Sequence, residues 1–190
     1  MSEILPRVTQ VIQEVGLGPD FSRVPAARLE YSRMRGQALH LAIRYHHEGT
    51  LDLESLHPDV KTGFEAYLRF LADTKHEPIA SEIELIHPVW QFVGHPDRVG
   101  FLNGGQRVLL DWKFTDSFDF WPTAYQLAAY RMLWNSTHPK EPVTQTFAVQ
   151  FHPSNGKYHL RRVEAEKYEQ DFLAALVVWR ARQRMGRGEP

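Results

Sequence analysis

Apolar residues recur at helical spacing through the first part of the chain. Residues 4–15 predict a short amphipathic helix that ends before Gly16. Residues 27–48 predict a longer helix with one polar face. Residues 58–74 predict a third helix, because Pro58 is well placed in a first helical turn.

The pattern then changes to the two-residue period of strands. Residues 79–86 alternate apolar side chains with Glu82 and Glu84, which predicts a half-buried strand. An Asn-Gly-Gly turn at residues 103–105 suits a hairpin, so three consecutive strands predict an antiparallel meander. Helical spacing returns at residues 120–134 and 165–184. The predicted strands are residues 79–86, 90–101, 107–114, 143–151 and 158–163.

This order of elements predicts an α/β fold, a mixed sheet flanked by helices. The chain has 190 residues, of which 43% are apolar and 24% charged, the balance of an ordinary globular protein. We expect one domain over residues 1–190, helical to about residue 77 and sheet-based from about residue 78. Because no targeting signal and no apolar run of membrane-spanning length is evident, we expect a cytoplasmic protein without a membrane partner.

Cysteine content and charge limit the chemistry. The sequence has no cysteine, which excludes disulfide scaffolds, thiol nucleophiles, iron–sulfur clusters and Cys-ligated zinc. Any metal must therefore be held by His, Asp or Glu. The formal net charge of -1 argues against binding nucleic acid by bulk electrostatics, but local basic patches stay possible.

One group of polar residues belongs to the strands and the helix after them. Asp111 and Lys113 lie two positions apart on a predicted strand and project to the same side. Asp97 belongs to the antiparallel neighbour, about 5 Å away, which is close enough for two carboxylates to share a divalent cation. Gln126 and Tyr130, four residues apart, share one face of the next helix.

An earlier helix adds an imidazole to this group. His40 lies on its polar face, and with Asp97, Asp111 and the backbone carbonyl of Trp112 it can complete a ligand set for a hard cation. Taken singly, each feature has a plainer interpretation, such as an exposed strand ion pair or a surface histidine. Glu82 fits equally a supporting carboxylate or the solvated face of a strand.

Together these motifs resemble the RecB-type branch of the PD-(D/E)XK nuclease superfamily, in which Pro96-Asp97 supplies the "PD" and Asp111-x-Lys113 the "DXK". The stretch from Arg35 to His40 resembles the R-G-x-x-x-H helix of that branch. Residues 5–9 resemble the N-terminal P-x-V-T segment of small phage-type exonucleases. The missing cysteines separate this chain from the iron–sulfur-bearing members.

The resemblance implies a restriction-endonuclease-like αβββαβ core with extra N-terminal helices and a C-terminal helix. It also implies a DNA nuclease that depends on Mg2+ or Mn2+, an exonuclease of recombination, repair or phage DNA processing. The alternative is a catalytically inactive nuclease-fold module that binds DNA ends or assembles with other proteins. Linear DNA ends, single- or double-stranded, are the expected partner, and a homo-oligomer or a recombination partner protein stays open.

The resemblance assigns roles to the site residues. The implied metal ligands are His40, Asp97, Asp111 and the backbone carbonyl of Trp112. The other implied catalytic residues are Lys113, Gln126, Tyr130 and Glu82. Lys113 would orient or help to deprotonate the attacking water, and Gln126 and Tyr130 would bind a phosphate or position Lys113.

Two further groups are candidates for contacting DNA. The arginines near the proposed metal ligands are Arg33, Arg35, Arg44 and Arg98. The aromatic residues Phe118, Phe120 and Trp121 either stack on unpaired bases or pack in the core.

Overall fold

The computed structural model describes residues 5–186. Its helices are α1 (Val8–Glu14), α2 (Ala26–Glu48), α3 (Pro58–Thr74), α4 (Phe120–Thr137) and α5 (Glu169–Gly186). Its strands are β1 (Glu77–Ser81), β2 (Leu85–Ile86), β3 (Val93–Gly94), β4 (Arg98–Phe101), β5 (Arg107–Phe114), β6 (Gln145–Phe151) and β7 (Tyr158–Val163). The predicted first helix begins at residue 4, which lies outside the described residues. No helix within 5–186 combines the length and the apolar character needed to cross a bilayer.

The mixed α/β architecture expected from the sequence is confirmed. A five-stranded sheet has the order β1-β4-β5-β6-β7. The pairs β1–β4, β4–β5 and β6–β7 are antiparallel, and β5–β6 is parallel. The parallel pair needs a long crossover, which α4 provides between β5 and β6. The short strands β2 and β3 pair separately.

Two predicted strands are each interrupted in the structure. Residues 79–86 split at Glu82, whose positive φ of 47° turns the chain out of the sheet. Residues 90–101 split between β3 and β4, at the segment that contains Pro96, which has no N–H to give to a ladder. The Glu82 amide donates to the Asp97 carbonyl at 3.2 Å, so the two breaks lie side by side. The predicted continuous strands are wrong here, and the breaks place both acids in loops.

Strand β5 separates two apolar clusters, one on each face of the sheet. Val108, Leu110 and Trp112 pack with residues of α2 and α3. Leu109 packs on the opposite face with residues of α1, α4 and α5. Since side chains alternate along a strand, Asp111 and Lys113 project to the α4 side, as the sequence predicted. Asp111 is thereby drawn into the interior, where it is 1% exposed.

Gly100 on β4 lies close to the backbone of the edge strand β1. A Cβ at this position would lie 2.3 Å from the Glu77 backbone oxygen, which cannot retreat without breaking the β1–β4 ladder. We expect Gly100→Ala to lower the free energy of unfolding by about 1–3 kcal/mol, measured by urea denaturation. The control is Gly36→Ala in α2, where nothing lies within 4 Å of an added Cβ. Equal stability of the two variants would contradict the prediction.

His76 predicts an acid-sensitive fold. Its ring is 9% exposed, and its Nδ1–H donates to the Phe101 carbonyl at 2.9 Å. Burial lowers the pKa of His76 from 6.5 to about 4. Between pH 6.5 and about 4, His76 therefore binds a proton in the unfolded chain but not in the folded protein. The free energy of unfolding that His76 contributes above pH 6.5 is lost as the pH falls towards 4.

We expect His76 to contribute about 3.5 kcal/mol at most to this loss, because each pKa unit corresponds to about 1.4 kcal/mol. The measurement is urea unfolding across that pH range, with His76→Leu as the comparison. The variant should show a shallower pH dependence than the wild type. Parallel profiles would contradict the assignment to His76.

Candidate active site

A chain of polar contacts links β5 to α4. Lys113 Nζ lies 2.7 Å from Asp111 Oδ2 and donates to Gln126 Oε1 at 2.9 Å. Gln126 Nε2 in turn donates to the Tyr130 hydroxyl at 3.1 Å. The two-residue period of the strand and the four-residue spacing of the helix thus bring together the four residues that the sequence grouped. The ammonium is held between a carboxylate and a side-chain amide.

A second polar group lies at the two breaks in the strands. Asp97 Oδ2 accepts a hydrogen bond from the Trp112 amide at 2.7 Å, which ties the loop to β5 beside Asp111. His40 Nδ1 lies 3.7 Å from Asp97 Oδ1 and 3.6 Å from Glu82 Oε1. Helix α2 therefore brings its imidazole to both loop acids. Of Trp112, the structure directs the amide towards Asp97, and the ring packs on the far face.

Burial and crowding set the protonation of this group. Burial raises the pKa of Asp97 to about 6, and the nearby charge of Asp111 adds to the rise against the opposing effect of His40. Burial alone would lower the pKa of His40, but the charges of Asp97, Asp111 and Glu82 raise it to about 9. The close contact with His40 lowers the pKa of Glu82. Burial raises the pKa of Tyr130, so its hydroxyl keeps its proton.

The donor chemistry of this group fits a hard divalent cation. Both side-chain oxygens of Asp111 are buried and accept no hydrogen bond of normal geometry from any residue within 5–186, although Lys113 lies at ion-pair distance. A buried carboxylate without donors is costly unless a cation satisfies it. In the same described range, no three His, Asp or Glu side chains already converge as a metal-binding group. The fit therefore rests on the donor types and on the unsatisfied Asp111 oxygens.

Gly94, part of the motif that contains Asp97, explains how α4 comes close to the site. A Cβ on Gly94 would lie 2.8 Å from a ring carbon of Tyr130 and 2.8 Å from a methyl carbon of Leu133. Only a residue without a side chain leaves β3 this close to α4. The contact fixes Tyr130, and through it Gln126, beside Lys113.

The comparison with protein families bears directly on this arrangement. A family model of the PD-(D/E)XK nuclease superfamily matches residues 12–188. The chain belongs to this superfamily. A search of curated proteins gives no match.

Solved structures of the same kind of fold are also similar to this nuclease-family chain. The "Putative exonuclease" from Eubacterium rectale has a TM-score of 0.58 at 14% identity, over 95% of this chain and 74% of that one. The alkaline exonuclease LHK-Exo from Laribacter hongkongensis has a TM-score of 0.44 at 15% identity, over 97% of this chain and 93% of that one. The first likeness supports the shared fold.

The arginines expected to contact DNA fall into different environments in this PD-(D/E)XK chain. The side chains of Arg33 and Arg44 are 69% and 43% exposed on α2. Arg35 packs its guanidinium over the Phe114 ring at 4.9 Å. Arg98 requires a correction, because it is 2% exposed and a phosphate cannot reach it. Its pairing with Leu110 directs the side chain into the α2–α3 face of the sheet, over Trp112.

The aromatic residues around the start of α4 divide between the two roles left open by the sequence. Phe118 packs against the core, with the Arg161 guanidinium over its ring at 4.9 Å. Trp121 is 57% exposed and stacks on Tyr125. Core packing thus accounts for Phe118, and an exposed surface remains at Trp121.

A cavity of about 560 Å³ opens beside Lys113 and Gln126. Its walls come from the loop after β5, which contributes Thr115 and Ser117, and from the segment of residues 18–24 between α1 and α2. The sequence analysis missed these residues. Neither segment carries a motif or a period, and only the tertiary fold brings the two together.

Proposed function

We propose that this protein is a divalent-metal-dependent deoxyribonuclease that removes nucleotides from DNA ends. The observation that carries the proposal is the buried Asp111 carboxylate, which accepts no hydrogen bond from residues 5–186 although it lies beside Lys113 and close enough to Asp97 to raise its pKa. Membership of the PD-(D/E)XK superfamily supports phosphodiester hydrolysis. We propose that residues 1–190 form one catalytic unit with a role in DNA recombination, repair or phage DNA processing.

Asp97, Asp111 and His40 would hold the cation, with the backbone carbonyl of Trp112 as a further oxygen ligand. When bound, the cation supplies Lewis-acid chemistry, which polarises the scissile phosphate and makes a water molecule more acidic. Because an imidazole is a softer ligand than oxygen, we propose that Mn2+ supports activity at least as well as Mg2+. Glu82 orients the His40 ring through its contact with Nδ1.

The remaining residues position a positive charge next to the reacting phosphate. Lys113 places its ammonium where negative charge grows during hydrolysis. Gln126 accepts a hydrogen bond from that ammonium through Oε1 and donates to the Tyr130 hydroxyl through Nε2; because an ammonium can only donate, Lys113 selects the oxygen end of the amide. Lys113 can also orient the attacking water, since its amine lies at the edge of the open cavity.

Action at DNA ends is supported by the motifs near the N-terminus. The segment that resembles the P-x-V-T of phage-type exonucleases lies beside the site, since the Pro6 carbonyl accepts from the Val93 amide at 2.9 Å. Thr9 of the same segment lines the cavity next to Lys113. The segment therefore borders the place where a DNA end would enter.

The test incubates the protein with linear and circular DNA, each single- and double-stranded, in Mn2+, Mg2+ or EDTA. We expect nucleotides to be released from linear DNA in the presence of metal, with circles left intact. Cutting of circles would replace the exonuclease assignment with endonuclease action. Binding of ends without any cleavage in either metal would overturn the enzyme proposal and favour an inactive end-binding module.

A further inference from the structure

A second cavity of about 630 Å³ adjoins the one beside Lys113. Both are lined by Phe21 and Val24 on one side and by Thr115 and Ser117 on the other. The segment of residues 18–24, here called the strap, therefore borders both cavities. We refer to the two cavities together as the groove, which extends from the catalytic lysine past the strap to the N-terminal half of α2.

The two ends of the groove differ in chemistry. Near Lys113 and Gln126 most of the exposed wall is apolar, with Ile12, Phe118 and Pro122, and two acids, Asp20 and Asp119, also line this end. Such walls suit a sugar and a base. The far end is lined by three arginines and a serine that can donate to an anion. These residues are Arg23, Arg28, Arg35 and Ser32.

The basic end is arranged to bind anions. Arg35 is held over the Phe114 ring at 4.9 Å, and its buried Nε finds no hydrogen-bond partner within residues 5–186. Such an ordered guanidinium is well suited to a phosphate. Asp116 is the single acid of this lining, and its Oδ1 already accepts from Ser154 Oγ at 2.6 Å. Three arginines face this one carboxylate, so the far end of the groove carries a net positive charge.

We propose that the groove binds one strand of DNA, so that single-stranded DNA or a frayed single-stranded end is the substrate. This inference rests on the proposed function, because it assumes that the reacting phosphate lies at Lys113. The neighbouring nucleotide occupies the apolar cavity, and the phosphates beyond it contact Arg23, Arg28 and Arg35. Each cavity has the size of a small-molecule pocket, whereas duplex DNA, whose major groove alone is about 12 Å wide, does not fit.

The first test measures DNA binding in EDTA, so that cleavage plays no part. Fluorescence anisotropy compares a short single strand with a blunt duplex of the same length across a salt series. We expect the single strand to bind at least about tenfold more tightly than the duplex, since charged hydrogen bonds are each worth about 1.5–3 kcal/mol. The double variant Arg23→Ala/Arg28→Ala should lose at least about tenfold in single-strand affinity for the same reason.

The salt dependence gives a second readout for the same variants. Losing two phosphate contacts should reduce the slope of log affinity against log salt by about 1.4 for a single strand. Both arginines are exposed, so their removal should leave the fold intact. The matched control is Arg162→Ala, an exposed arginine on β7 that lines neither cavity. Equal binding of strand and duplex, or a double variant that binds like the control, would overturn the inference.

A labelling experiment tests the groove without changing its charge. The sequence has no cysteine, so Ser117→Cys creates a unique thiol that lines both cavities. A bulky maleimide there should weaken single-strand binding at least about tenfold, by blocking the same charged contacts. The same label at Glu166→Cys, on an exposed turn outside both cavities, should have no effect. Unchanged binding after Ser117→Cys labelling would contradict the proposed path.

Cleavage assays in Mn2+ separate this inference from the proposed function. Equal degradation of blunt duplex and single strand, unaffected by the arginine variants, would overturn the groove and leave the nuclease standing. Single-strand binding that depends on the arginines, with no cleavage of any DNA, would support the groove and overturn the nuclease.

Discussion

Asp111→Asn should lower the rate of phosphodiester cleavage by at least about 1,000-fold, because in the proposed site it removes a charged ligand from the metal, whose contribution to transition-state stabilisation is several kcal/mol. The substitution keeps the shape of the side chain but replaces one oxygen with an N–H donor. The wild-type carboxylate is 1% exposed, so solvent cannot compensate for the loss. The measurement is the rate of nucleotide release from linear DNA at saturating substrate and Mn2+.

Thermal unfolding distinguishes loss of the metal from loss of the fold. Wild-type protein should gain stability on adding Mn2+, since a ligand that binds the folded state raises the melting temperature. Asp111→Asn should lose that gain and stay near the metal-free melting temperature of the wild type, because relief of the crowding that raises the pKa of Asp97 offsets the lost contact with Lys113, whose side chain is 25% exposed to solvent. The matched control Asp171→Asn, an exposed acid at the start of α5, should behave like wild type. A variant with full activity would refute the assignment of Asp111.

Local periodicity was sufficient to predict two pairs, Asp111 with Lys113 and Gln126 with Tyr130, and the family resemblance supplied the expectation that the pairs work together. The strand at residues 107–114 has the bounds expected from its alternation. That alternation places Asp111 and Lys113 on one face, and the next helix presents Gln126 and Tyr130 one turn apart. Both rules depend only on residues close in sequence, so each pair could be predicted locally, whereas the contact between Lys113 and Gln126 depends on how α4 packs on β5.

The breaks in the strands could not be predicted in this way. The apolar alternation of residues 79–86 continues through Glu82, yet Glu82 has a positive φ and lies in a loop. Its conformation is supported by a hydrogen bond to the Asp97 carbonyl and a contact with His40, both distant in sequence. Tertiary contacts therefore overrode the local preference at the site itself.

The sequence alone also could not predict which arginines are exposed. It suggested a DNA contact for the buried Arg98 and gave no signal for Arg23 and Arg28, the exposed arginines of the groove. Arg98 follows the motif acid Asp97, which suggested a DNA contact, but its register with Leu110 buries it. Arg23 and Arg28 belong to no motif, but the fold places them with Arg35 around one cavity. The sequence shows how many arginines the chain has, but only the fold shows which of them lie on the same surface.

Lys113→Met should separate chemistry from metal binding. The variant keeps a long side chain and removes the charge that lies 2.7 Å from Asp111 Oδ2. We expect the cleavage rate to fall by at least about 100-fold, the cost of losing one preorganised stabilising group in an active site. Gln126→Leu, which leaves the ammonium in place but frees it from Oε1, should cost less, about tenfold, as is typical of an outer supporting partner.

The rise in melting temperature on adding Mn2+ should be larger in Lys113→Met than in wild type, whereas it should be lost in Asp111→Asn. Without Lys113 the buried Asp111 carboxylate loses its nearby cation. The free energy of unfolding of the metal-free protein should therefore fall by about 3–5 kcal/mol, the usual cost of breaking a buried ion pair. Added Mn2+ should restore that loss, which makes the metal-induced rise in melting temperature larger than in wild type. Lys140→Met, an exposed lysine in the turn after α4, is the matched control. Lost Mn2+ stabilisation in Lys113→Met would mean that Lys113 acts by assembling the metal site, not by acting on the phosphate.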